Sequence, residues 1–98
     1  MRDVLVVAEQ RGGALRRVSQ EVVSAARGVA DALGGEVHAL AVGPAGLGQA
    51  AAVLGRYGAD RVLVVEDDRL VGAPPEGVAE AVVAVLRGRS PFAVFFPA

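Results

Sequence analysis

The apolar positions of this 98-residue chain alternate between two rhythms, and the alternation predicts its elements. Val4 to Ala8 is a short unbroken apolar run rich in β-branched residues, the pattern of a strand buried on both faces. Glu9 to Leu15 carries Arg11-Gly12-Gly13 and reads as a turn or loop. From Val18 the spacing becomes helical: Val18, Val22, Ala26, Val29 and Leu33 fall on one face. Ser19 is the expected N-cap, with Glu21 in the first turn and Val18 and Val23 as a hydrophobic staple. Gly34-Gly35 ends this helix.

Glu36 to Val42 reads as a second strand, stopped by Gly43-Pro44. Leu47, Ala50, Ala51 and Leu54 mark a shorter second helix that closes near Gly55 to Gly58. Arg61 to Glu66 is a third buried strand, and Asp67 to Ala73 a polar loop. Pro74-Pro75-Glu76 opens a third helix, with Val78, Ala81, Val82, Val85 and Leu86 as its stripe. Gly88 to Pro91 breaks it, and Phe92 to Phe96 is a fourth strand.

The order β-α-β-α-β-α-β implies right-handed crossovers and a parallel sheet with helices on both faces. The fold class is therefore three-layer α/β, in one domain over 1–98. The expected strand order is 3-2-1-4. Its all-apolar first strand is central, and its third helix crosses to the opposite face.

Composition narrows the function. Net charge is −1, and all ten basic residues are Arg with none gathered into a patch, so nucleic-acid binding has no electrostatic footprint. The absence of cysteine excludes disulfides, thiolate catalysis and Cys-ligated metals. The apolar start is too short for a signal peptide or a membrane span, which makes the cytoplasm the expected location and excludes membrane insertion.

Candidate chemistry is sparse. Gly12-Gly13, and Gly43, Gly46 and Gly48, match neither the dinucleotide G-x-G-x-x-G nor a phosphate-loop Gly-Lys-Ser/Thr. They read as turn punctuation. His38 is the only histidine and reads as structural. Glu66-Asp67-Asp68 stands where open sheets bind ligands and has the chemistry for Mg²⁺, but reads as a solvated loop with capping capacity. Tyr57 reads as a packed ring with an exposed hydroxyl. Ser19, Ser24 and Ser90 lack a histidine placed to activate them. The expectation is no catalytic, cofactor-binding or metal-ligating residue, and no enzyme.

Val4-Leu5-Val6-Val7-Ala8-Glu9, followed by Arg11-Gly12-Gly13-Ala14-Leu15, resembles the opening of the electron transfer flavoprotein α subunit. Tyr57-Gly58-Ala59-Asp60-Arg61-Val62 is similar to that family's segment before a strand. Ala30-Asp31-Ala32-Leu33-Gly34-Gly35-Glu36-Val37 and Phe95-Phe96-Pro97-Ala98 fit its helix-to-strand passage and a strand that ends in proline. The resemblance runs along the whole chain. It implies the N-terminal domain of that subunit, an adenine-nucleotide-α-hydrolase-like fold that stops before its last strand. It further implies pairing with a β subunit, service to dehydrogenases through the parent complex, and FAD held mostly by a separate C-terminal domain. The family's flavin-binding motifs have no matching positions here. The alternative is a free-standing nucleotide-binding domain of the universal-stress-protein kind. The apolar Phe92–Phe96 edge also predicts self-association of the isolated chain.

Overall fold

A computed structural model describes residues 2–8, 10–11, 14–43, 46–66, 75–89 and 91–96. The strands are β1 (Val4–Ala8), β2 (Gln10–Arg11), β3 (Ala14–Leu15), β4 (Val37–Gly43), β5 (Arg61–Glu66) and β6 (Ala93–Phe95). The helices are α1 (Arg17–Leu33), α2 (Leu47–Ala51) and α3 (Pro75–Leu86), with a 3₁₀ segment at Ala52–Tyr57.

β5, β4, β1 and β6 lie side by side in that order, all parallel, which is the expected 3-2-1-4 arrangement. Leu5 stands opposite both His38 of β4 and Val94 of β6. β1 and β4 are buried throughout. Alternation along the strands divides the core between two faces. Val4, Val6, Ala8, Ala39, Ala41, Val62, Val64 and Phe95 pack beneath α1, α2 and the 3₁₀ segment with Val23, Ala26, Leu47 and Leu54. Leu5, Val7, Leu40, Val42, Leu63, Val65 and Val94 face α3 through Val82, Val85 and Leu86. The third crossover therefore changes face, as expected.

Several local readings are corrected. Residues 10–15 contain an antiparallel two-residue pair, β2 with β3, where a loop was expected. α1 begins at Arg17 after an extended Arg16 that makes no side-chain cap, so Ser19 is not the N-cap. Ser19 is a buried interior position, the first turn holds no acid, and Val18 lies inside the helix, which removes the staple. The buried stripe is Ser19, Val23, Ala26 and Ala30, one position round from the expected one, with Val22, Val29 and Leu33 on its flanks. Three of its four members are small, and small side chains bring the helix axis close to the sheet while the larger ones fill the margins.

The other corrections concern the second helix and the third strand. The second helix is split: the α-turn ends at Ala51 and the chain tightens into 3₁₀ geometry to Tyr57. β5 is half-buried rather than buried, because it lies at one end of the described sheet.

Gly34 closes α1 in the left-handed conformation, φ 74°, and the peptide N–H groups of the cap return to Ala30 and Asp31. The loop expected at Asp67–Ala73, the Gly12-Gly13 turn and the side chains of Val78 and Ala81 lie outside the described residues.

Candidate functional site

The two ends of the parallel sheet carry different chemistry. At the carboxyl end, where open α/β sheets receive ligands, the chain meets itself. Gly46 and Gly48 donate their peptide N–H groups to the Glu66 carboxylate, at 3.3 Å to Oε2 and 2.7 Å to Oε1. An anion bound at the start of α2 would use those same groups, so Glu66 fills that place with the protein's own charge. Beside it, the Gln10 side chain and Leu47 lie against Gly43, so that a carbon added there would meet them at 3.0 Å and 2.9 Å and push them aside. Glu66 thus supplies the capping role expected of the acidic triplet. Asp67 and Asp68 lie outside the described residues.

The amino end holds the polar cluster. Asp3 accepts the Glu36 peptide N–H at Oδ1, 2.9 Å, and that bond holds its carboxyl below the usual range. Glu36 Oε1 lies 2.9 Å from His38 Nε2 and 3.4 Å from Arg61 Nε. The histidine, then the arginine, lower the Glu36 carboxyl. Arg89 Nη1 lies 3.1 Å from His38 Nδ1. A guanidinium only donates and an ionised carboxylate only accepts. His38 must therefore accept at Nδ1 and donate from Nε2, which fixes one neutral tautomer.

Asp3, Glu36 and His38 bring one ligand atom each within 4.8 Å of the others, the spacing of a possible metal triad. The surroundings do not fit a cation. A metal on Nε2 needs the other ring nitrogen to carry a proton and donate it, yet Nδ1 faces a group that has only protons to give. Arg61 and Arg89 also add positive charge where a cation would enter. The cluster is a seam that ties the starts of β1, β4 and β5 to the segment after α3. Sequence reasoning treated His38 as structural but missed its company: Asp3, Arg61 and Arg89 are far from it along the chain, while Glu36, two positions before it, was open to the strand's own alternation.

A second seam lies next to it. Arg27 on α1 donates to Asp31 Oδ1 (3.0 Å), Asp60 Oδ2 (2.6 Å) and the backbone carbonyls of Gly58 (3.0 Å) and Gly35 (3.2 Å). Asp60 also accepts the Val37 peptide N–H, 2.8 Å, and that bond, then Arg27, lowers its carboxyl. Gly58 adopts φ 122°, and a Cβ there would press on the Arg27 side chain at 3.1 Å.

Tyr57 is 41% exposed, so its ring is less packed than expected. Its carbonyl accepts from Ser24 Oγ at 3.4 Å. Arg17, Gln20, Glu21, Ser24 and Tyr57 line a shallow hollow of about 170 Å³, too small and open to enclose an organic cofactor. Ser90 lies outside the described residues. Among the described residues, no helix is long and apolar enough to cross a membrane.

The class these features define is a three-layer α/β domain with a parallel sheet, in which, among the described residues, the peptide N–H groups at the start of α2 are taken by Glu66. A model of the electron transfer flavoprotein domain matches residues 4–98, and the chain belongs to that family. It is 33% identical over 93 residues to the electron transfer flavoprotein subunit alpha of Bacillus subtilis (strain 168), covering 95% of this chain and 28% of that protein. It is 35% identical over 91 residues to the same subunit of Syntrophomonas wolfei, covering 93% and 27%. Against that of Thermoanaerobacterium thermosaccharolyticum the values are 32% over 97 residues, 99% and 29%. The chain thus spans less than a third of the length of these curated relatives.

Proposed function

We propose that residues 1–98 form the N-terminal domain of an electron transfer flavoprotein α subunit, with a structural and subunit-pairing role. The parent flavoprotein carries electrons from dehydrogenases to an acceptor in the cytoplasm. The observation that carries this reading is the family match along 4–98 combined with where the family-like residues sit. Tyr57-Gly58-Ala59-Asp60-Arg61 forms the Arg27–Asp60 seam, and Ala30 to Val37 supplies the helix cap and the peptide N–H that Asp60 accepts. These two family-like segments build the scaffold of the domain.

In this reading FAD belongs to the parent complex and is held mostly outside this domain. The domain performs no catalysis. Its partner is the β subunit, and it takes no part in nucleic-acid binding or membrane insertion. The free-standing nucleotide-binding alternative is disfavoured by Glu66, which already holds the peptide N–H groups at the start of α2.

Co-expression with a β subunit of the family tests the proposal. The expected result is a stable complex recovered through a tag on either chain. Failure to co-purify, together with ATP retained by the chain alone, would support the alternative.

A further inference from the structure

His38 stands at the amino end of the sheet, opposite Leu5 of β1 and Arg61 of β5, and by alternation with Leu40 and Val42 it faces the α3 side. The residue is buried, at 8% exposure. Its two ring nitrogens meet groups of opposite demand: Nε2 the Glu36 carboxylate at 2.9 Å, and Nδ1 the Arg89 guanidinium at 3.1 Å. Asp3, just before β1, brings a second carboxylate within 4.8 Å of the ring. Arg61 reaches Glu36 at 3.4 Å, and Asp60 is coupled to the ring by charge alone. Glu80 of α3 and Arg87 beyond it line a hollow with the exposed Val83, on the side of α3 turned away from the sheet.

Arg89 belongs to the connection that leads from α3 into β6. Two peptide bonds hold that connection: the Arg89 N–H donates to the Leu86 carbonyl at 3.0 Å, and the Phe92 N–H to the Asp3 carbonyl at 2.8 Å. A Cβ built on Gly88 would meet nothing within 4 Å, so the chain there is not packed in. The Arg89 side chain on His38 is therefore the hold that ties this turn to β4.

We propose that His38 is a proton-operated latch: the neutral ring holds Arg89, and with it the connection from α3 to β6, and the protonated ring lets Arg89 go. In the tautomer these contacts fix, Nδ1 is the one nitrogen without a proton, so an added proton goes there. Nδ1 then donates towards a guanidinium that has no acceptor, and positive charge faces positive charge. Nε2 keeps its N–H on Glu36, and that bond becomes charge-assisted. The ring thus stays with Glu36 while Arg89, which is exposed, swings into water without crossing the core. The contact is present at high pH and lost as the pH falls. Because the gain at Glu36 opposes the loss at Arg89, overall stability changes little and the response is local to residues 87–89. It falls in the histidine range, about pH 8 to 5, above the range in which the carboxylates are lost.

This inference is independent of the electron-transfer reading. His38 is the only histidine of the 98 residues, so its ring nitrogen signals in NMR are unambiguous. At about pH 8 they should show the proton on Nε2, and on titration to about pH 5 a second proton on Nδ1. The amide signals of Gly88 and Arg89 should move in step with the ring, while that of Gly55, on the other side of the sheet, stays. Arg89→Ala removes the charge that opposes the proton, so the ring should change charge at a pH higher by about 0.5 or more, with Gly88 no longer following. Arg87→Ala removes an equal charge that faces away from the ring and should have a clearly smaller effect. In His38→Gln, which cannot titrate, Gly88 and Arg89 should stay still across the same range. A proton on Nδ1 at pH 8, a ring whose charge does not change down to pH 5, Gly88 and Arg89 amides that ignore the ring, or an Arg87→Ala effect equal to that of Arg89→Ala would each overturn the proposal.

Discussion

The Arg27 guanidinium lies 2.6 Å from the Asp60 carboxylate, joining the middle of α1 to the residue just before β5. The two are 33 positions apart. Asp60 spends its Oδ2 on both Arg27 and the Val37 peptide N–H, so one carboxylate aligns α1, β4 and β5. The Arg27 side chain is about one quarter exposed, so solvent weakens the charge attraction, and the geometric alignment is the larger part of its worth.

Arg27→Ala is expected to lower the unfolding midpoint, as is Asp60→Ala. Asp60→Ala should be the more damaging, because it also strands the Val37 peptide N–H. Chemical denaturation of the two single variants and the double variant checks this. The expected non-additivity is marked, since the residues share one network. Additive losses would mean that the pair does not act as a unit.

Gly58→Ala should cost about 1–3 kcal/mol, because φ 122° is outside the region open to side chains and the new Cβ would meet Arg27. The measurement is urea unfolding at constant m-value. In the Arg27→Ala background the steric part of the loss should shrink while the backbone strain remains.

The chain's layers were legible from its hydrophobic rhythm, and its polar seams were not. The run Val4–Ala8 announced a central strand, and the apolar stripe of the third helix, carried in the structure by Val82, Val85 and Leu86, announced a helix with one buried face. The face of α1 was misjudged because Ser19 and Ala30 are small or polar. Period analysis favours large apolar side chains such as Val22 and Val29, whereas close packing on a sheet favours small ones. The tightening at Ala51 was hidden for a similar reason: α and 3₁₀ turns place apolar residues at nearly the same spacing. Most of the company of His38 was invisible because Asp3 and Arg89 come near it only after the parallel register has formed, whereas Glu36, two positions before it, could have been read from strand alternation.

Acid should loosen the amino end of the sheet first. Asp3, Glu36 and Asp60 all have carboxyls lowered in the folded chain, by hydrogen bonds from the Glu36 peptide N–H, from His38 and from the Val37 peptide N–H respectively. A carboxyl lowered on folding contributes stability that is fully present above its unfolded value. That contribution is lost as the pH falls through the ordinary carboxylate range, near pH 4, towards the lower folded value. Stability measured from about pH 7 down to about pH 3 should therefore hold and then fall on the acid side. Asp60→Asn should reduce the acid-side slope. A variant with the same slope as the natural chain would remove Asp60 from the account.

The last prediction concerns flavin. The isolated chain is expected to bind no FAD with a dissociation constant of about 1 µM or better, equivalent to about −8 kcal/mol. A flavin needs donors for its pyrophosphate and a hydrophobic slot for its ring. At the carboxyl end of the sheet, the N–H groups of Gly46 and Gly48 are already bonded to Glu66, and Gln10 and Leu47 close over Gly43. Releasing FAD's pyrophosphate from water to reach them would require displacing a carboxylate that is tethered to β5 and pays little entropy to stay. Glu66→Ala tests which term matters. If Glu66 alone blocks the place, the variant should gain weak affinity for FAD or inorganic pyrophosphate by titration calorimetry. If Gln10 and Leu47 also close it, the variant should bind neither and simply lose about 1 kcal/mol of stability with its cap. A saturable micromolar site in the unsubstituted chain would contradict the filled-end account and return the domain to the ligand-binding class.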